Sequence, residues 1–177
     1  MARSVIVLVM HGEPPRDFPR ESLTEYFTLH ERLHAASPEE TARLRGRVET
    51  LERAIREWPR SARNDPFYAG SLELAEALQR RTGLRVIVGF NEFCAPSLPE
   101  ALDRAAAQAR EVFVVTPMMT RGGVHAESDI PRQLEQARKR HPGVRFVYAW
   151  PYGVSDVAAF LARHLERFGM AVPAAPE

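Results

Sequence analysis

Four short apolar runs punctuate the chain: Ser4 to Met10, Leu84 to Phe90, Glu111 to Pro117 and Val144 to Trp150. They are rich in valine and lack the strict polar alternation of a half-exposed strand, so they read as strands covered on both faces. Helical patterns separate them, which is the order expected of a parallel α/β sheet. Between the last three runs the connections hold one helix each. Ser97-Leu98-Pro99-Glu100 is a capping-box sequence that opens a helix to about Ala109, and Asp129 with Pro131 begins the next. A last helix is expected from near Ser155 to just before Gly169, followed by a loose tail over 169–177.

The connection between the first and second runs is far longer than one crossover helix needs. Leu23, Tyr26, Phe27 and Leu33 mark a first helix. Leu44, Val48, Leu51, Ile55 and Trp58 follow helical spacing in a second, opened by Ser37-Pro38-Glu39-Glu40. Leu72, Leu74, Ala75 and Leu78 mark a third that Gly83 ends. The chain therefore reads as a single α/β domain over 1–177: a four-stranded parallel sheet with helices on both faces, and a helical insertion over 14–63 after strand one.

Composition narrows the chemistry only by exclusion. With 177 residues, 45% of them hydrophobic, there is material for one good core. A formal charge of +1, from 24 basic and 23 acidic residues, supplies no field for nucleic acid or an anionic membrane. The apolar run near the N-terminus spans only Val5 to Met10, too short for a membrane span, and no small-residue cleavage site follows it. Cys94 is the single cysteine; there is no disulfide framework, and a reducing cytoplasm is the expected setting.

Ligands of parallel sheets bind beyond the carboxyl ends of the strands. Three loops there carry chemistry: His11, Gly12 and Glu13 after strand one; Asn91, Glu92 and Cys94 after strand two; Thr116, Met118, Met119, Arg121, Gly122, Gly123 and His125 after strand three. Taken singly, a histidine at such a place commonly caps or packs, and Glu92 reads equally as a loop carboxylate ahead of the capping box. Together, two imidazoles and a carboxylate on adjacent loops suit either a divalent metal or proton transfer near neutral pH. His30 and His34 lie i, i+4 on the first inserted helix, as a second metal pair or as exposed histidines. A phosphatase reading of "MHGE" fails, because that chemistry needs an arginine where Met10 stands. No Gly-x-x-x-x-Gly-Lys run is present to hold a nucleotide triphosphate.

The stretches "VILVMHG", "GFNEFCAPSLPEALDRA" and "VFVVTPMMTRGGVHAESDIPRQLEQARKRHPGVRF" resemble the small sirohydrochlorin cobaltochelatases of the CbiX type and their siroheme-pathway ferrochelatase relatives, ATP-independent class II chelatases. The resemblance covers Ser4 to Gly12 and roughly Asn64 to Phe168. It implies a chelatase-like fold of one lobe, paired as a homodimer, and a lyase of cobalamin or siroheme biosynthesis. That enzyme inserts cobalt, iron or nickel into sirohydrochlorin or a related tetrapyrrole, with no nucleotide and no nucleic-acid or membrane partner. A non-catalytic tetrapyrrole or metal carrier of the same fold is the alternative, and a structural or regulatory partner protein is a third. By resemblance, His11, Glu92 and His125 fall on the metal-site histidines and active-site glutamate. The loop residues Met118, Met119, Arg121, Gly122 and Gly123 are then expected at the tetrapyrrole, the methionines as a soft platform, Arg121 against a carboxylate and the glycines for close approach. Two departures stand out. The small chelatases usually read His-Gly-Ser at the first site, where this chain has His-Gly-Glu, making Glu13 a competing carboxylate. The segment after it is loosely similar to the opening of protoheme ferrochelatases, where helices line the porphyrin cleft.

Overall fold

The computed structural model describes residues 2–170, the side chains of 2, 34 and 35 excepted. The expected tail therefore lies outside the described residues from 171 onward, as does the side chain of His34. Four strands, β1 (Ala2–Met10), β2 (Val86–Phe90), β3 (Ala109–Val115) and β4 (Arg145–Tyr148), form one parallel sheet in the order β2-β1-β3-β4. The six α-helices are α1 (Arg20–Ala35), α2 (Pro38–Glu57), α3 (Pro66–Thr82), α4 (Leu98–Ala106), α5 (Ile130–Arg140) and α6 (Val154–Glu166).

The alternation along β1 explains why it is central. Val5, Val7 and Val9 face a core shared with Leu98, Leu102, Ile130 and Leu134 of α4 and α5. Leu8 and Met10 face the other way, onto Ala75 of α3 and onto Val88, Phe90 and Cys94. Both faces are thus covered, as the apolar runs require. Gly89 of β2 lets α4 lie close, since a β-carbon there would stand 2.7 Å from that of Ala101. The helix caps follow the sequence: Ser97 and Glu100 form the reciprocal capping box of α4, Ser37 accepts from the Glu40 N–H at the start of α2, and Gly83 ends α3 at φ +68°.

Several boundaries differ from the sequence reading. Helix α4 stops at Ala106, because Ala109 is already paired with Ala2 in the sheet. β4 ends at Tyr148, two residues short, ahead of Pro151, which lacks the N–H a strand would use. Helix α6 forms where expected but buries none of its residues, leaving Phe160, Leu161 and Leu165 about half exposed. The insertion has its own small core, in which Phe18, Tyr26, Val48, Leu51 and Ile55 pack together with Phe93 from the loop after β2. That last contact places the insertion beside the carboxyl end of the sheet.

Candidate metal centre

His11, Glu92 and His125 leave the carboxyl ends of β1, β2 and β3, three strands that are neighbours in the sheet. The β1 to β2 ladder continues past the strands: Asn91 N–H donates to the Met10 carbonyl at 3.0 Å and Glu92 N–H to the His11 carbonyl at 3.0 Å. The backbones of His11 and Glu92 are therefore hydrogen-bonded to each other. Gly12 permits this approach. It adopts φ +111°, and a β-carbon there would stand 1.9 Å from the Glu92 carbonyl oxygen.

The side chains converge accordingly. His11 Nδ1 lies 3.3 Å from Glu92 Oε2, His125 Nε2 lies 4.0 Å from Glu92 Oε1, and the two imidazole centroids are 4.7 Å apart. The ligand atoms of the three all fall within 4.8 Å of one another, the one such cluster of His, Cys, Asp and Glu among the described residues. Metal bonds of about 2 Å to nitrogen and oxygen set neighbouring ligand atoms roughly 3–4 Å apart, so only small side-chain adjustments separate this arrangement from a coordinating one. Imidazole with carboxylate suits first-row divalent ions such as iron, cobalt and nickel. The rim is open, with the His11 side chain 45% and the Glu92 side chain 39% exposed, which leaves room for a broad ligand above it.

His125 is held from behind. The chain enters α5 through a π-type turn over His125–Asp129, and within it Asp129 Oδ2 meets His125 Nδ1 at 2.8 Å while Oδ1 accepts from Arg132 at 2.9 Å. Helix α5 begins directly after Asp129, as expected, although the Asp129 backbone is helical and its side chain makes no cap bond. A carboxylate on Nδ1 leaves Nε2 as the nitrogen directed at Glu92, the usual support of a metal-binding imidazole. The i, i+4 spacing of His125 and Asp129 was the available signal. Farther back, three aromatic donors from the end of β4 and the segment after it fasten the same loop: Tyr148 to the Ala126 carbonyl, Trp150 to that of Met118 and Tyr152 to that of Thr116, at 2.7–3.1 Å.

The remaining residues named from sequence divide. Gly122 has φ +87°, so its turn favours glycine, and its N–H donates to Glu127 at 3.0 Å; Gly123 has neither positive φ nor a close neighbour, and no crowding surrounds either. Met118 packs partly buried against the main core, which is a structural use of its side chain. Met119 is half-buried, and Arg121 is exposed with no ion pair among the described residues. Glu13 is exposed and stands outside the cluster. Cys94 is buried, its thiol against the Glu13 carbonyl and Asp65, and burial pushes it up to about 11, which keeps it a neutral thiol. His30 lies with its ring 5.6 Å from that of Tyr26. Burial, with the charges of Glu52 and Glu92 nearby, pushes Tyr26 up to about 12.

The chain is 33% identical over 97 residues to a sirohydrochlorin cobaltochelatase of Sulfurisphaera tokodaii, a match covering 54% of this chain and 77% of that one. It is 33% identical over 69 residues to a sirohydrochlorin cobaltochelatase of Priestia megaterium, covering 39% of this chain but only 22% of that longer one. Among solved structures, SirB from Bacillus subtilis with Fe3+ superposes at a TM-score of 0.52 and 16% identity, over 96% of this chain and 49% of SirB, a likeness of fold. The CbiX family profile matches residues 60–167, leaving β1, α1 and α2 outside it. With more than half its length so matched, the chain belongs to the CbiX family.

Proposed function

We propose that this protein inserts a divalent metal, cobalt or else iron or nickel, into sirohydrochlorin or a related tetrapyrrole without nucleotide hydrolysis. The observation that carries the reading is the convergence of His11, Glu92 and His125 from three adjacent strand ends, in a chain of this family. Insertion requires a metal to exchange water for ring nitrogens while two pyrrole N–H protons leave. Two imidazoles can hold the incoming ion, and a carboxylate between them can share it or accept a proton as the ring nitrogens bind. Asp129 fixes which imidazole nitrogen faces the site. Met119, Arg121 and Gly122 border the same loop as His125, where a ring and its carboxylates would rest.

The chain acts as a homodimer in this reading. Support comes from the open rim of the triad and from the apolar residues that α6 leaves uncovered. A second copy would close the cleft and exclude water. The lone, buried Cys94 fits a reducing cytoplasm, and no helix among the described residues is long and apolar enough to cross a membrane.

An anaerobic absorbance time course with excess sirohydrochlorin and cobalt(II) tests the activity. The wild type is expected to give many turnovers above the spontaneous rate and His125→Ala none. A spectral change that stops at one equivalent would instead identify a carrier, and no response to cobalt, iron or nickel would remove the chelatase reading. Light scattering coupled to size exclusion tests the dimer: Leu161→Glu is expected to give monomers.

A further inference from the structure

One buried ion pair joins the helical insertion to both ligand loops. The side chains of Arg60 and Asp65 are 5% and 1% exposed. Arg60 follows α2, and its guanidinium is shared among three chain segments. Nη1 donates to the Glu13 carbonyl at 2.8 Å, two residues after His11. Nη2 donates to the Phe93 carbonyl, one residue after Glu92, and to the Ile55 carbonyl at 3.0 Å in the last turn of α2. Asp65 pairs with Nη1 through Oδ2, while its Oδ1 accepts from the Tyr68 N–H at 2.8 Å as the cap of α3. Arg56, one turn earlier, donates to the Cys94 carbonyl at 2.8 Å.

Burying such a pair is a poor way to gain stability, because well-packed apolar side chains of similar volume usually serve as well. A planar guanidinium does something an apolar cluster does not. Its donors have fixed relative directions, so two carbonyls bonded to one fork are held at a fixed separation. Here those carbonyls belong to the loops that carry His11 and Glu92. The Phe93 backbone adds a second sign of constraint: it sits at φ +53°, a left-handed conformation uncommon for an aromatic residue. Such backbone persists where the surroundings hold it, and Arg60 is bonded to that residue's carbonyl.

We propose that Arg60 is a positioning residue for the metal centre, setting the distance between His11 and Glu92 from within the insertion. The proposal rests on the reading of the triad as a metal site. It predicts that the quality of cobalt coordination depends on a side chain that touches neither metal nor tetrapyrrole.

The test uses the full chain and cobalt(II) alone, reading affinity and the visible absorption of the bound ion together with the thermal midpoint. Arg60→Lys keeps the charge for Asp65 but replaces the fork by a single ammonium. It is expected to weaken cobalt binding by roughly 10- to 100-fold, the range for supporting residues of metal ligands, and to shift the visible band. Trp58→Phe, which removes the Trp58 bond to Asp17 elsewhere in the insertion, is expected to lower the midpoint with affinity and band unchanged. If Arg60→Lys binds cobalt as the wild type does, while His11→Ala and Glu92→Gln do not, the proposal is overturned and the metal site stands. If Trp58→Phe loses affinity in step with its midpoint, Arg60 acts through general stability and the proposal is equally overturned. A wild type that binds no cobalt removes both. Should Arg60→Lys not fold, Asp65→Asn retains an oxygen for the Tyr68 N–H but loses the charge that orients the fork; the same band shift is expected, and an unchanged spectrum overturns the proposal.

Discussion

Gly12→Ala perturbs the triad without changing any of its three side chains. A β-carbon at this position stands 1.9 Å from the Glu92 carbonyl oxygen and 2.9 Å from its carbon, where separations under 3.0 Å essentially do not occur. The obstacle is backbone rather than a flexible side-chain end, so the two loops must part by about 1 Å to restore contact distance. Parting them stretches the bond from Glu92 N–H to the His11 carbonyl and widens the gap between the His11 and Glu92 side chains. A misplacement of that size costs roughly 100-fold in rate. The φ of +111° adds strain, together about 2–4 kcal/mol with the overpacking. For a chain of this length that lowers the thermal midpoint by roughly 5–15 °C. Differential scanning fluorimetry, cobalt titration and initial rates at 20 °C, where the variant should remain folded, separate the two effects. A folded Gly12→Ala protein with wild-type cobalt affinity and wild-type rate would refute the account of how the triad is assembled.

Three further outcomes are expected. Asp129→Asn should weaken cobalt binding by roughly 10- to 100-fold by releasing His125 Nδ1, read by titration; unchanged affinity would mean the carboxylate does not orient the ring. Ser97→Ala should cost about 1 kcal/mol of stability by removing the α4 cap, measured by urea denaturation, with no change in the spectrum of bound cobalt. Glu100 supplies a pH dependence: hydrogen bonds from the Ser97 N–H and then its hydroxyl hold its carboxyl below the usual carboxylate range. A folded pKa below the unfolded one contributes stability above the unfolded value, about 4.3, and loses it as pH falls through the folded value. The stability gap between wild type and Glu100→Gln should therefore be widest near neutrality and close in acid; a gap constant from pH 7 to pH 3 would contradict this.

The sheet and the triad were legible because both follow from short-range pattern. Fully apolar runs mark central strands, and the polar residues just past their ends must share a rim. Supporting contacts were less legible in proportion to their sequence separation. Asp129 to His125 is a local pair, but aspartate ahead of Ile130-Pro131 reads only as the start of a helix; the π-type turn in addition draws its carboxylate to the imidazole. Gly122 and Gly123 were singled out for approach to a ligand; the glycine that crowds against the protein's own backbone is Gly12. Its neighbour is Glu92, 80 positions away, and no periodicity relates the two. Arg60 is less visible still: its partners lie 33 and 47 positions off and are carbonyls, which every residue type provides.

The His-Gly-Glu sequence, read from the sequence as bringing in a competing carboxylate, acquires a different meaning from these contacts. Glu13 turns its side chain to solvent and offers its backbone carbonyl to Arg60 and the Cys94 thiol. Position 13 therefore contributes to the frame around His11 through its backbone, whatever its side chain. Since Arg60 is bonded at once to the end of α2 and to the loops bearing His11 and Glu92, any opening of the insertion that withdraws the guanidinium must also free those loops. Folding of the insertion and affinity for the metal are then thermodynamically linked: metal bound at the triad should protect the amides of α2 and of residues 91–94 from hydrogen exchange, by an amount that disappears in Arg60→Lys.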